Sequence, residues 1–232
     1  MATCGSTLVA QHESHNHQPA ASQTAPETHL KNLRQLTFGG DNAEAYWSFD
    51  SKAITFQSNF KTWGVQCDQI FTSPIKKMGI KDTTRKSTLV STGLGRTTCS
   101  YFMPDNKHIL YASTHEGDSA CPPTPESNGK YVWAIYSNFD IYVADLKGNI
   151  HQKLTTTPGY DAEGTVSPDG KSIVFTSTRS GDLELWIMDI DGFTTNIEIA
   201  AKDQFGKILS RFFDPIGKLH KRFHLESLPL FS

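Results

Sequence analysis

The chain has 232 residues, of which 37% are hydrophobic and 20% are charged, and its formal net charge is −2. This length and composition exclude collagen-like, coiled-coil and wholly disordered chains. Lysine and arginine number 22 against 24 acidic residues, so the chain lacks the net positive charge that sequence-independent nucleic-acid binding needs, and we predict no nucleic-acid partner. It contains no run of about 18 apolar residues, so we predict no membrane span.

Residues 1–31 form a polar leader with four histidines and few large apolar side chains. Such a segment buries too little surface to offset its ordering entropy, so we predict that it is flexible and holds no metal. No complete signal peptide is present in this chain. The run Met1–Ser6 resembles the end of a bacterial lipoprotein signal, which would make Cys4 the acylated residue of a lipid anchor. An ordinary initiator methionine followed by an incidental cysteine is the alternative.

Internal repetition begins at residue 32. Residues 45–56, 100–111 and 165–175 each consist of a β-prone run, a turn around an aspartate and a second β-prone run. Asp, Asn, Gly and Pro favour tight turns, so each segment predicts a β-hairpin. An apolar strand and then a more polar strand follow each hairpin. Four antiparallel strands per unit predict the blade of a β-propeller.

The turn aspartates Asp50, Asp105 and Asp169 lie 55 and 64 residues apart, further than the ~40–45 residues of a usual blade. Insertions at 74–86 and 115–130 account for the surplus. Residues 32–200 therefore provide about three blades, whereas propellers usually have ~4–8. We predict an all-β fold with an incomplete ring, and an incomplete ring is expected to expose the faces of its terminal blades.

The third repeat carries the most specific motif, Ser-Pro-Asp-Gly-Lys at residues 167–171, followed by Arg179–Asp182 and by a strand that ends at Met188–Gly192. These residues resemble the TolB-like propeller repeats, which are distantly related to WD-type repeats and occur in exported bacterial proteins. The first two copies depart from the motif, since Phe49 and Ser51 replace its Pro and Gly and Asn106 replaces Gly in the second. The resemblance implies a periplasmic or outer-membrane-associated protein whose partners are envelope proteins or a peptide segment.

Residues 201–232 do not repeat the pattern. Their apolar residues have the spacing of one face of a helix, and a Phe-Phe-Asp-Pro run at 212–215 weakly resembles the blade motif, so the tail is predicted to be helical or a degraded blade. We therefore predict that the whole chain is a truncated version of a longer propeller.

Enzyme signatures are missing from the sequence. It contains no G-x-S-x-G nucleophile elbow, no H-E-x-x-H and no phosphate-binding glycine loop, so we predict a non-catalytic scaffold without a cofactor. Three alternatives stay open: an accessory propeller of a serine peptidase, a glycan lyase that uses His108, His115 and His151, and a fragment without independent function.

Charged residues lie near the start of each innermost strand, and these residues are Asp41, Glu44, Arg96, Asp161 and Glu163. The innermost strands of a propeller line its central channel, so we expect these side chains to gather at one mouth of it. Clustered carboxylates there would bind a cation or a basic peptide. Caps of the turns that enter each blade are the alternative role.

The cysteines of the repeat region are Cys67, Cys99 and Cys121. They form no C-x-x-C pair, so no structural zinc site is predicted. One disulfide and one free thiol are compatible with an exported protein, although the sequence does not say which residues pair. Three small buried side chains are the alternative.

Overall fold

The computed structural model describes residues 31–79, 87–126, 134–192 and 198–199. These residues form twelve β-strands and two short 3-10 helices, at Lys61–Trp63 and Ile75–Lys77, and they contain no α-helix. All of the strands belong to the unit that begins at Gln35. Within the described ranges, no helix is long and apolar enough to cross a bilayer. Cys4 and the tail at 201–232 lie outside the described residues.

Three antiparallel sheets of four strands follow one another along the chain, each with its strands in sequence order. The first blade contains β1 (Asn42–Trp47), β2 (Ala53–Ser58), β3 (Gln69–Pro74) and β4 (Thr88–Leu89). The second contains β5 (Thr97–Phe102), β6 (His108–Ser113), β7 (Asp140–Asp145) and β8 (Ile150–Lys153). The third contains β9 (Asp161–Val166), β10 (Ser172–Ser177), β11 (Glu184–Asp189) and β12 (Glu198–Ile199). The all-β prediction and the four-stranded blades are confirmed.

The hairpin turns follow from their side chains. Ser48 Oγ lies 2.7 Å from Asp50 Oδ1 and accepts from the backbone N–H of Ala53, and Ser167 repeats the arrangement with Asp169 in the third blade. The residue after each turn aspartate is left-handed, with φ of 55° at Ser51, 56° at Asn106 and 70° at Gly170. Glycine is therefore dispensable at this position, because the serine and aspartate bonds hold the same backbone in the first blade.

Neighbouring blades pack face to face through two cores. The core between the first and second blades includes Ile70, Phe102, Ile109 and Tyr111, and a buried hydrogen bond of 2.7 Å joins Thr55 Oγ1 to Ser100 Oγ across it. The core between the second and third blades consists of buried side chains of both, including Leu110, Ile141, Tyr160, Ala162 and Phe175. Among the described residues the blades therefore form an open arc, in which the second is packed on both faces.

The face of the first blade that points away from the second is covered by the chain itself. This face carries Ile54, Phe56 and Phe71, and the short 3-10 helix between β2 and β3 places Trp63 on it. The Trp63 ring centroid lies 4.9 Å from that of Phe71 and 6.3 Å from that of Phe56. Trp63 is only 7% exposed, so the expectation that a terminal blade exposes its apolar face does not hold at this end.

Candidate functional site

Each innermost strand carries a β-bulge at the same position. The pairing register shifts between Ala43 and Tyr46 in β1, between Thr98 and Ser100 in β5, and opposite Val174–Thr176 in β9. One residue in each bulge has a left-handed backbone, namely Glu44 (φ 51°), Cys99 (φ 40°) and Glu163 (φ 59°). They lie 55 and 64 residues apart, the spacing of the turn aspartates. A non-glycine residue in this conformation costs about 1–3 kcal/mol, and such strain is concentrated at functional sites.

The three bulge residues interact electrostatically. Glu44 Oε2 accepts a 2.9 Å hydrogen bond from the backbone N–H of Cys99, which links the first two blades. Glu163 accepts hydrogen bonds from the hydroxyls of Thr176, at 2.8 Å, and Tyr160, at 3.3 Å. Burial and then the neighbouring Glu44 carboxylate raise the pKa of the Cys99 thiol far above its ordinary value, and Glu163 acts in the same direction. The Cys99 thiol is therefore held in its neutral form beside the Glu44 carboxylate.

Aromatic side chains adjoin these bulges. The rings of Tyr46 and Tyr101, which occupy equivalent positions of β1 and β5, have centroids 5.3 Å apart, and Phe49 lies 6.4 Å from Tyr101. Tyr46 is 36% exposed and Trp47 is 54% exposed, so this aromatic surface is open to solvent. Burial, followed by the nearby Cys99 and Glu44, raises the pKa of Tyr46. The bulge residues Glu44, Cys99 and Glu163, together with Tyr46 and Tyr101, are called the inner-strand surface below.

A cleft of about 440 Å³ opens where the first blade meets the second. Nine residues line it: Gly40, Asp41, Asn59, Phe60, Lys61, Gln66, Cys67, Asp68 and Arg96. Arg96 Nε lies 3.8 Å from Asp68 Oδ2 and has no hydrogen-bond partner although it is buried. Burial raises the pKa of Asp68, and the Arg96 guanidinium opposes that rise. The Asp41 carboxylate accepts a 2.9 Å hydrogen bond from Asn59 Nδ2.

Asp161 lies apart from both groups. Its carboxylate is almost fully buried and forms a 2.9 Å ion pair with Arg179, whose guanidinium stacks over the rings of Phe175 and Trp186. This pair joins the start of β9 to the turn that follows β10, so it stabilises the third blade.

The five charged residues singled out in the sequence thus fall into three places. Glu44 and Glu163 lie within the inner strands rather than before them, where Glu44 contacts Cys99 and Glu163 contacts Thr176. Asp41 and Arg96 line the cleft, and Asp161 is held by Arg179. Sequence reasoning missed the aromatic pair, although Tyr46 and Tyr101 share the 55-residue repeat spacing that would have identified them. It also missed Asp68, for which the sequence carries no comparable signal.

The cysteines divide into a pair and a free thiol. Cys67 and Cys121 form a disulfide with a Cα–Cα distance of 6.1 Å, and Cys99 is free. The bond ties the start of β3 in the first blade to the long loop that follows β6 in the second. It therefore braces the cleft, which Cys67 lines.

Of the three histidines offered for lyase chemistry, two contact each other and the third packs on a tyrosine. His108 Nδ1 lies 2.6 Å from Asp105 Oδ2 and its ring contacts that of His151, whereas the His115 ring packs on Tyr142. Across the described ranges, no group of three His, Cys, Asp or Glu side chains is placed to hold a metal ion.

Comparison with known proteins finds local similarity, and no family model matches the chain. An uncharacterized protein of Agrobacterium fabrum is 37% identical over 54 residues, which are 23% of this chain and 18% of that protein. The Tol-Pal system protein TolB of Bordetella pertussis is 40% identical over 53 residues, which are 22% of this chain and 12% of that protein. Each match thus spans less than a fifth of the relative's length.

Two solved structures align with part of this chain at lower identity. The crystal structure of TolB from Acinetobacter baumannii has a TM-score of 0.40 and 20% identity, and the alignment covers 69% of this chain and 31% of that one. A chain of a nidogen/laminin complex has a TM-score of 0.44 and 12% identity, with 68% and 46% covered. The local match to TolB agrees with the resemblance of the Ser-Pro-Asp-Gly-Lys motif at residues 167–171 to TolB-like propeller repeats.

Proposed function

We propose that this chain is a non-catalytic propeller scaffold of the bacterial envelope, periplasmic or associated with the outer membrane, that binds a protein or peptide partner. The observation that carries the proposal is the set of three equivalent strained bulges, which hold Glu44, Cys99 and Glu163 at the same position of successive inner strands, with Glu44 hydrogen-bonded to Cys99. The local similarity to a Tol-Pal system protein supports the envelope setting and a protein partner. Cys4, outside the described residues, stays a predicted lipid-anchor site.

The chemistry of the inner-strand surface favours a basic peptide segment. Two carboxylates give it negative charge, and the exposed ring of Tyr46, which contacts the partly buried Tyr101, offers a face to a lysine or arginine side chain. Both carboxylates already accept hydrogen bonds from the protein. A cationic side chain that approaches over the tyrosine rings keeps those bonds, whereas a fully dehydrated metal ion would compete for the same oxygens. The peptide is therefore the proposed ligand.

Binding of a defined peptide to the full chain tests this function. We expect a fluorescein-labelled peptide of alternating lysine and glycine to bind, and a glutamate–glycine peptide of equal length to bind at least about tenfold more weakly, a difference of about 1.4 kcal/mol. The double variant Glu44→Gln/Glu163→Gln should lose about tenfold in affinity for the lysine peptide. Glu126→Gln, at an exposed position elsewhere, makes the same chemical change and should leave the affinity unchanged.

Equal affinity of the double variant and the Glu126→Gln control would refute the inner-strand surface as the binding site. Incubation of the full chain with peptide and uronate-containing glycan substrates separates the scaffold from the two enzyme alternatives. Turnover of either substrate would refute the non-catalytic proposal.

A further inference from the structure

We propose that the face of the third blade that points away from the second blade is covered by the chain's own C-terminal segment, residues 201–232. This face, called the outer face below, lies on β10 and β11. Its apolar residues are Val174, Leu185 and Ile187, which pack on one another and are only partly buried.

Strand register defines the outer face. Val174 pairs with Ile187 and Thr176 pairs with Leu185, so these side chains stand on one side of the sheet. The residues on the other side, Ile173, Phe175 and Met188, belong to the core shared with the second blade. The outer face is therefore the side on which the described residues place no further blade.

The corresponding face of the second blade is part of an interblade core. At the equivalent positions Leu110 pairs with Val143 and Ala112 pairs with Ile141. These four side chains are buried against the third blade, and Leu110 and Ile141 have no exposed surface. Aliphatic residues thus recur at positions that form an interblade core, which indicates that the outer face of the third blade is a packing surface as well.

The first blade shows how this chain covers a terminal face. Its outward side is closed by Trp63 and Met78, which come from connections within the same blade, and Leu36, which precedes β1, packs against them. A segment adjacent in sequence therefore replaces a neighbouring blade. The C-terminal segment stands in the same relation to the third blade, because it follows β12, the outermost strand of that blade.

The sequence of residues 201–232 fits the outer face in pattern and in charge. Its apolar residues are spaced for one face of a helix, and they are Phe205, Ile208, Leu209, Phe212, Phe213 and Ile216. The segment has six lysines and arginines against three acidic residues. Asp189, at the end of β11, stands on the same side of the sheet as Leu185 and Ile187, so the outer face carries an acidic residue that complements the positive charge of the segment.

Photo-crosslinking in the full chain tests the proposal. A benzophenone amino acid replaces Leu185 on the outer face, or Leu183, which is 43% exposed and so tolerates substitution without disturbing the fold. We expect mass spectrometry to locate the crosslinks within the same chain, at residues 205–216. The same amino acid at the exposed Lys147, in the outer turn of the second blade, should give no crosslink to that segment.

Two further variants test the apolar contact. Leu209→Asp/Phe212→Asp should lower the crosslink yield from position 183 at least about tenfold, whereas Ser210→Asp, between them, should leave it unchanged. Crosslinks that join two chains would assign the outer face to a second copy and overturn the proposal. The absence of intrachain crosslinks from position 183 to residues 201–232 would also overturn it. If the Leu185 replacement does not fold, the result at position 183 is sufficient by itself.

Discussion

The carboxylate of Glu44 accepts a 2.9 Å hydrogen bond from the backbone N–H of Cys99, which lies 55 residues later and on the next blade. The left-handed backbone of both residues makes this contact possible, because each bulge turns one residue of an inner strand out of the regular pairing. The bond thus joins two equivalent bulges and gives the inner-strand surface a fixed geometry.

Replacing Glu44 should destabilise the protein most when the new side chain cannot accept this hydrogen bond. Glu44→Ala leaves the partly buried Cys99 N–H without its partner, which costs about 1–3 kcal/mol, whereas Glu44→Gln keeps an acceptor oxygen and should cost less than 1 kcal/mol. Urea unfolding measures both free energies. Equal losses for the two variants would show that the charge of Glu44, rather than the hydrogen bond, stabilises the bulge.

The Cys99 thiol should make stability fall at alkaline pH. Its pKa is raised in the folded chain, so above its ordinary value of 9.0 the unfolded chain loses this proton while the folded chain keeps it. Stability from this group is complete below pH 9 and declines above it, at up to about 1.4 kcal/mol per pH unit. Urea unfolding at pH 8 and pH 10 should show a larger loss for the natural chain than for Cys99→Ala. Identical losses would contradict the prediction.

The Asp161–Arg179 pair should be strongly coupled. Because both groups are more than nine-tenths buried, Asp161→Asn strands a buried guanidinium and should cost about 3–5 kcal/mol. Arg179→Met combined with Asp161→Asn should cost less than the sum of the single changes. Glu116→Gln breaks the more exposed ion pair with Lys153 and serves as the control, with an expected cost below about 1 kcal/mol. Additive effects at Asp161 and Arg179 would argue against coupling.

The Cys67–Cys121 disulfide should supply a large part of the stability of the first two blades. It closes a loop with a sequence separation of 54, for which chain entropy predicts about 4 kcal/mol. Cys67→Ser/Cys121→Ser should therefore lower the unfolding free energy by about that amount and remove its sensitivity to dithiothreitol. Cys99→Ser should keep that sensitivity, and a natural chain equally stable with and without reductant would contradict the prediction.

Replacing either tryptophan of the first blade should lower stability, but by very different amounts. Trp63→Ala removes the ring that covers Phe56 and Phe71 and should cost about 3–5 kcal/mol while promoting self-association, since it opens an apolar face. Trp47→Ala removes a side chain that is 54% exposed and should cost less than about 1 kcal/mol. Thermal unfolding with light scattering measures both effects. Similar losses for the two variants would show that Trp63 does not act as a cover.

The strands of the three blades and the turns of their hairpins could be predicted from the sequence alone. These features depend on neighbouring residues: alternating apolar side chains build a strand, and Ser48 with Asp50, or Ser167 with Asp169, holds the turn within five residues. Repetition of the pattern then indicated blades without knowledge of any distant contact.

Which charged residues contact one another depends on tertiary packing and could not be predicted from the sequence. Glu44 and Asp161 look alike in the sequence, as acidic residues near the start of an inner strand, yet one faces Cys99 and the other lies under Arg179. The difference comes from bulges and from partners 18 to 55 residues away. The sequence also does not reveal that Cys67 pairs with Cys121 or that Trp63 covers the first blade. Both contacts depend on where a connecting segment packs after the strands have paired.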